Sequence, residues 1–156
     1  MVTVEIRPIR LKDLDDVTDI EQRSFPEPWD SDIFDTFACW DGEVPLAEKN
    51  LGLMRVATEN DRVVGYVVWM IPNDRAKGHI MNIAVREECR RRGIGSLLLR
   101  HVFNELAKVD IPICILEVRT SNDAAKHLYE HVGMSLVDRK ENYYDDEDAD
   151  IYSIRF

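Results

Sequence analysis

The chain has 156 residues, of which 45% are hydrophobic, and this suits one compact domain over 1–156 with a cleft for a ligand. The net charge of −10 argues against nucleic acid as the main partner, because phosphate-binding surfaces need an excess of Lys and Arg. No apolar run reaches the roughly 18 residues that span a bilayer, and the first residues lack the regions of a secretion signal. We therefore expect a cytoplasmic protein that binds neither membranes nor nucleic acid.

An acidic surface suits a cationic acceptor such as an amine or a basic peptide, although acidity also serves solubility alone. The three cysteines are Cys39, Cys89 and Cys114, and they cannot all pair within the chain. None has a C-x-x-C spacing or a clustered histidine, so the sequence predicts neither a disulfide framework nor a metal site. A catalytic cysteine is disfavoured because no histidine partner lies at a known spacing.

Hydrophobic periodicity predicts the elements of the first half. Residues 3–9 alternate as a strand, and 11–25 carry apolar side chains at helical spacing. Pro26 and Pro28 force a loop, after which Asp30 or Ser31 is placed to cap a second helix. An irregular stretch is expected over 41–51, followed by a hairpin whose strands are 53–58 and 62–70.

The second half alternates strands with helices. Residues 80–85 predict a strand, and a helix with an apolar stripe begins near Gly93. A buried strand over 113–118 precedes a helix that 121–123 cap and that Gly133 ends. The last two strands are expected over 135–140 and 149–156, with the acidic residues 145–148 between them. The order β-α-α-β-β-β-α-β-α-β-β predicts an α/β (α+β) fold, a mixed sheet with helices on its faces.

A basic, glycine-containing segment joins the strand over 80–85 to the following helix. It reads Arg-Arg-Arg-Gly-Ile-Gly-Ser over 90–96. Gly93 and Gly95 allow the backbone to approach a ligand closely, and the first-turn N–H groups of a helix bind anions. An ordinary helix start gives the same pattern. The segment lacks the Gly-Lys-Ser/Thr of a P-loop, and Leu98 stands where a dinucleotide fingerprint has Gly or Ala. The sequence therefore indicates a site for a pyrophosphate without a required metal.

This segment stands within a larger set of short motifs. Ile83-Ala84-Val85 followed by Arg90-x-x-Gly93-x-Gly95 resembles the acetyl-CoA signature of the GNAT acetyltransferase superfamily. Further motifs are similar to those of the RimI-type and archaeal protein N-terminal acetyltransferases, in the expected order over 77–156. They are Leu-Glu-Val-Arg at 116–119, Ser-Asn at 121–122, Ala125, Leu-Tyr-Glu at 128–130, Gly-Met at 133–134, Asn-Tyr-Tyr at 142–144 and Glu-Asp-Ala at 147–149.

The resemblance implies a GNAT-like acyl-CoA N-acyltransferase fold, with a mixed, mostly antiparallel sheet flanked by helices, and acetyl-CoA as the cosubstrate without a metal. Backbone groups of Ile83, Ala84 and Val85 would hold the pantetheine arm. Asn122 would contact the cofactor through its amide, although it also suits a plain helix cap. The residues that would bind the pyrophosphate are Arg91, Arg92, Gly93, Ile94, Gly95 and Ser96.

Acetyl transfer to an amine needs a base for the ammonium group and an acid for the departing thiolate. Glu117 interrupts a buried run and occupies the family's base position; the alternative is a structural carboxylate paired with an arginine such as Arg119. Tyr129 occupies the acid position, the alternative being an aromatic packed on its helix. His79 resembles a histidine that organises water with the glutamate, although a lone histidine is commonly structural or exposed.

Two segments are candidates for binding the acceptor. Phe25-Pro26-Glu27 resembles the Leu-Pro-Glu turn of the archaeal enzymes, which would place Glu27 near the substrate's N-terminus, whereas the following Pro-Trp resembles the RimI type. Tyr143 and Tyr144 resemble a tyrosine pair in the last loop that grips the peptide backbone; an aromatic pair within a β-hairpin is the alternative.

The sequence therefore predicts an enzyme that transfers acetyl from acetyl-CoA to the N-terminal α-amine of proteins, ribosomal proteins among them, by direct attack in a ternary complex. One alternative is a GNAT enzyme that acetylates a small-molecule amine or a lysine side chain. The other is a non-catalytic acyl-CoA-binding regulator. We expect a monomer or weak homodimer whose acceptors are protein or peptide N-termini.

Overall fold

The computed structural model describes residues 3–156, in which eight strands share one sheet. The strands are β1 (Val4–Pro8), β2 (Glu43–Pro45), β3 (Leu51–Glu59), β4 (Arg62–Ile71), β5 (Gly78–Val85), β6 (Ile113–Arg119), β7 (Ser135–Tyr144) and β8 (Glu147–Arg155). Their order is β1-β3-β4-β5-β6-β8-β7, with β2 also paired to β3. Within the described residues, β5 and β6 form the one parallel pair. The predicted mixed, mostly antiparallel sheet is confirmed.

Helices cover both faces of this sheet. They are α1 (Leu14–Ser24), α2 (Ser31–Cys39), α3 (Ile94–Lys108) and α4 (Asp123–His131). Two apolar cores result, one on each face. The first packs α1 and α2 against residues such as Met54 and Tyr66, and the second packs α3 and α4 against residues such as Trp69 and Leu116. The predicted helices on both faces are therefore confirmed.

Several element bounds differ from the sequence-based expectation. The stretch 41–51 contains β2, which pairs with β3. The hairpin strands extend to Glu59 and Ile71 and meet at a two-residue turn in which Asn60 and Asp61 both have positive φ. The last two strands are also longer than expected, because Tyr144 pairs with Glu147 and leaves only 145–146 as the turn. Placing all of 145–148 between the strands was therefore wrong.

The ladder between β5 and β6 covers only the beginning of the two strands. Gly78 lies opposite Cys114 and His79 lies opposite Ile115, and no later pair of these strands is matched within residues 3–156. The later part of β5 keeps β4 on one edge, where Val67 pairs with Ile83. Its other edge therefore presents backbone groups to an opening beside β6.

One extra residue in β5 decides which face its side chains occupy. Val68 lies opposite Asn82 and Trp69 lies opposite Ile80, so Met81 is unopposed and forms a β-bulge. In a regular strand, residues three apart point to opposite faces. The bulge instead places His79 and Asn82 on the same face, the one that α1 and α2 cover.

Gly78 is required by the packing of α3 on β5. An added Cβ at Gly78 would lie 2.4 and 2.6 Å from the two Cδ atoms of Leu106, which is fully buried. We expect Gly78→Ala to lower the free energy of unfolding by about 1–3 kcal/mol, as overpacking of a dense core does. Chemical denaturation measures this change.

Leu106→Ala supplies the control, because it removes the atoms that the new Cβ would meet. In that background Gly78→Ala should cost much less than in the wild type, since two residues in contact are energetically coupled. Equal costs in both backgrounds would contradict a clash with Leu106.

Candidate active site

His79 and Glu117 meet where β5 and β6 begin to separate. His79 Nε2 lies 2.5 Å from Glu117 Oε2, and the side chains are 22% and 10% exposed. Burial raises the pKa of Glu117, but the hydrogen bond and the electrostatic interaction with His79 outweigh burial and hold that pKa below its usual value. Glu117 is therefore a carboxylate at neutral pH, with His79 as its partner.

The alternative that paired Glu117 with Arg119 is wrong. Arg119 Nη1 donates to Asp146 Oδ1 at 2.7 Å, and its guanidinium carbon lies 4.3 Å from the ring centroid of Tyr144. Asp146 in the turn between β7 and β8 and Tyr144 at the end of β7 therefore hold the Arg119 side chain, so Glu117 does not pair with it.

Tyr129 lies on α4 with its ring buried against Tyr152, at a centroid distance of 5.9 Å. Among residues 3–156 its hydroxyl has no hydrogen-bond partner. The hydroxyl oxygen is nevertheless not completely enclosed by the protein. The hydroxyl oxygen therefore keeps access to solvent. Burial and the neighbouring Tyr144 raise the pKa of Tyr129, so the phenol keeps its proton at neutral pH.

Tyr143 and Tyr144 lie at the end of β7 rather than in a loop, so their predicted placement was wrong in that respect. Their rings meet edge to face at a centroid distance of 5.0 Å. Burial and the adjacent Glu117 raise the pKa of Tyr143, and burial, Tyr143 and Glu117 raise that of Tyr144. The pair therefore stands beside Glu117.

The glycine segment begins α3 with N–H groups that no side chain of the described residues caps. Gly93 precedes the helix with φ of +83°, in the left-handed region that favours glycine, and space is open where its Cβ would be. No side chain of the described residues caps this end, so the N–H groups of Ile94, Gly95 and Ser96 lack an intrahelical acceptor. This geometry suits an anion.

The three arginines before Gly93 have different surroundings. Arg90 Nε donates to the carbonyl oxygen of Val85 at 3.0 Å, and Arg92 forms an ion pair with Glu59 on β3. Both side chains therefore fasten the segment to the sheet. Arg91 is exposed and has a left-handed backbone, with φ of +63°.

Two residues of the predicted cofactor site also have structural duties. A Cβ at Gly95 would lie 2.8 Å from Leu128 Cδ2, so this glycine lets α3 pack against α4. Asn122 is the N-cap of α4, where its Oδ1 accepts from the N–H of Ala125 at 3.2 Å. The predicted cap is confirmed, and the exposed amide nitrogen of Asn122 stays available for a ligand.

Glu21 is a buried charged residue that was not identified from the sequence. It lies on α1, is 1% exposed, and accepts hydrogen bonds from Tyr66, Asn82 and the N–H of Trp29. Its position on the apolar stripe, directly after Ile20, was the available signal, because an acidic residue at a buried helical position needs partners. The predicted Glu27 is exposed on the loop between α1 and α2.

Two observations on residues 3–156 concern side chains that bind metals or act as thiol nucleophiles. No group of three or more His, Cys, Asp or Glu side chains in that range is arranged to hold a metal ion. Burial raises the pKa of Cys114 to about 12, so this thiol is inert. None of the helices in the same range has the length and apolarity needed to cross a membrane.

Known proteins are similar to this chain in both sequence and fold. The model of the Acetyltransferase (GNAT) family matches residues 14–134. The ribosomal protein bS18-alanine N-acetyltransferase of Escherichia coli strain K12 is 35% identical over 144 residues, which cover 92% of this chain and 89% of that protein. An N-alpha-acetyltransferase of Sulfurisphaera tokodaii is 33% identical, over 92% of this chain and 88% of its own length.

Among solved structures, Ard1 from Thermoplasma volcanium is similar with a TM-score of 0.80 and 28% identity, covering 97% of both chains. The family match includes both the glycine segment and the strand that carries Glu117. The chain therefore belongs to the GNAT acetyltransferase family, as its motifs predicted.

Proposed function

We propose that this enzyme transfers the acetyl group of acetyl-CoA to the N-terminal α-amine of proteins. The observation that carries the proposal is the ionised Glu117 bonded to His79, with Tyr143 beside it and the protonated phenol of Tyr129 on α4. A base and an acid are what amine acetylation requires. Relatives named for acetylation of protein N-termini support the same acceptor.

The surroundings of β5 and α3 fit acetyl-CoA, which would supply the acetyl group as a thioester. The edge of β5 that faces away from β4, over Ile83, Ala84 and Val85, offers backbone groups to a pantetheine arm. The uncapped start of α3, with the residues from Arg91 to Ser96, would bind the pyrophosphate. The side-chain amide of Asn122 would add a further contact.

Glu117 and His79 would together accept the proton of the acceptor ammonium, directly or through a water. Because the pKa of Glu117 is low, the carboxylate alone is a weak base, and an acceptor that loses its proton easily is favoured. An α-ammonium has a pKa of roughly 8 and a lysine ε-ammonium one of roughly 10.4, a difference of about 3 kcal/mol. This difference favours the α-amine.

The acceptor would lie between the loop that carries Glu27 and the end of β7, where Tyr143 and Tyr144 would contact its backbone. The carboxylates of Glu27 and Glu117 would attract its positive charge. A relative named for acetylation of ribosomal protein bS18 supports the cytoplasm as the place of the reaction.

Three peptides of one sequence test the proposal. The first has a free α-amine and no lysine, the second is N-acetylated with one free lysine, and the third has both amines. We expect acetyl transfer to the α-amine of the first and third only, measured by mass spectrometry with site mapping and by release of free thiol.

Two results would contradict the proposal. Acetylation confined to the lysine, or to small amines added to the same panel, would establish the related GNAT activity instead. Binding of acetyl-CoA without thiol release for any acceptor would favour a non-catalytic acyl-CoA-binding regulator.

A further inference from the structure

We propose that Glu21 is a positioning residue that fixes the acceptor loop, residues 25–30, against the donor strand β5. The inference rests on the proposed function, because that function assigns this loop to the acceptor and β5 to acetyl-CoA. Glu21 itself is sealed from solvent and touches neither substrate.

One carboxylate joins three parts of the fold. Glu21 Oε1 accepts from the hydroxyl of Tyr66 on β4 at 2.5 Å and from Asn82 Nδ2 on β5 at 2.8 Å. Its other oxygen, Oε2, accepts from the N–H of Trp29 in the acceptor loop at 2.9 Å. One oxygen therefore faces the sheet and the other faces the loop.

The same residue also holds the first residue of the loop. The backbone carbonyl of Glu21 accepts from the N–H of Phe25 at 3.2 Å, where α1 ends. At the far end the Trp29 ring stacks on Phe34 of α2, with a centroid distance of 5.8 Å. Both ends are thus fixed, while Glu27 between them remains exposed.

The bulge at Met81 makes this connection relevant to the reaction. It turns Asn82 to the face of the sheet on which His79 and Glu117 lie. The side chain that is hydrogen-bonded to Glu21 therefore belongs to the part of β5 that carries the proposed active site. The separation of acceptor loop and donor strand is consequently set by one buried carboxylate and its hydrogen bonds.

The contacts call for a carboxylate and not an amide. All three partners are donors, and burial and Glu21 raise the pKa of Tyr66, which keeps its phenol protonated and able to donate. In Glu21→Gln the amide oxygen can keep Tyr66 and Asn82, but the amide nitrogen then faces the N–H of Trp29. This substitution therefore releases the loop while it preserves the bonds to the sheet.

The matched control is Tyr66→Phe, which removes a bond to the sheet and leaves the bond to Trp29 in place. We expect Glu21→Gln to raise the KM for the acceptor about tenfold, with kcat and the Kd for acetyl-CoA within about twofold of the wild type, as the loss of one charge-assisted hydrogen bond predicts. Tyr66→Phe should keep the acceptor KM within about twofold even though it lowers thermal stability.

Amide hydrogen exchange gives a reading that does not depend on activity. We expect the Trp29 amide to exchange about tenfold faster in Glu21→Gln and at the wild-type rate in Tyr66→Phe. Unchanged exchange in Glu21→Gln, or equal rises of acceptor KM in the two variants, would overturn the positioning role. If the wild type acetylates no α-amine, the proposed function fails. The role of Glu21 is then still decided by the exchange rate of the Trp29 amide and by the KM for whichever amine of the acceptor panel the enzyme does acetylate.

Discussion

Glu117→Gln is expected to lower kcat about 10²–10³-fold, the usual cost of losing a general base. Glutamine keeps the shape of the side chain and can still contact His79, but it cannot hold an ionised oxygen against the imidazole or accept a proton. The Kd for acetyl-CoA should stay within about twofold of the wild type, because the proposed cofactor contacts lie on β5, α3 and Asn122. Steady-state kinetics and calorimetric titration measure the two quantities.

The pH dependence identifies what Glu117 contributes. Since its pKa is lowered, the carboxylate is ionised throughout the neutral range, so Glu117 adds no acid limb to kcat/KM between about pH 5 and 8. In Glu117→Gln the carboxylate can no longer help to remove the proton, so acceptor molecules that have already lost it react preferentially. Residual activity of the variant should therefore rise with pH up to the amine pKa of roughly 8.

Glu141→Gln is the control for charge alone, because it removes one carboxylate from an exposed position on β7. It should leave kcat within about twofold of the wild type, as surface substitutions usually do. Wild-type turnover in Glu117→Gln across the whole pH range would remove Glu117 from the mechanism.

Local sequence patterns were sufficient for most helices and strands and for the position of the glycine segment. Such patterns act over a few residues: Asn122 caps α4 through a contact three residues away, and Gly93 adopts its left-handed conformation next to the helix that it precedes. Motif order supplied the GNAT family.

Features that depend on distant partners could not be predicted. The bulge at Met81 exists only as a register shift against β4, and β2 only as a pairing with β3. For Glu117 the nearby sequence offers Arg119, and only the family resemblance associated this carboxylate with its true partner, His79 on another strand. Glu21 likewise binds partners that follow it by up to 61 positions.

Two carboxylates on the same face of the sheet have different duties because their surroundings differ. Glu21 is enclosed and its hydrogen bonds come from a phenol, an amide and a backbone N–H, so its charge is fixed in place. Glu117 keeps 10% of its side chain exposed, is bonded to an imidazole and lies close to Tyr143. Only the second carboxylate is placed to receive a proton from a substrate.

Tyr129→Phe is expected to lower kcat about 10²-fold, or about 2.7 kcal/mol of transition-state stabilisation. The hydroxyl has no hydrogen-bond partner among the described residues, so its removal should leave the free energy of unfolding within about 0.5 kcal/mol of the wild type. A large loss of activity with unchanged stability would therefore be the signature of a proton donor. Stopped assays of thiol release and chemical denaturation provide the measurements.

Tyr152→Phe gives the opposite signature in the neighbouring ring. Its hydroxyl donates to Glu130 Oε2 at 3.1 Å, so the substitution should cost about 1 kcal/mol of stability and leave kcat within about twofold. Because burial and Tyr144 raise the pKa of Tyr129, the wild type should keep its acid form, and so its kcat, up to at least pH of about 10. Equal losses of kcat in the two variants, or a basic limb well below that pH that vanishes in Tyr129→Phe, would contradict a buried phenol as the acid.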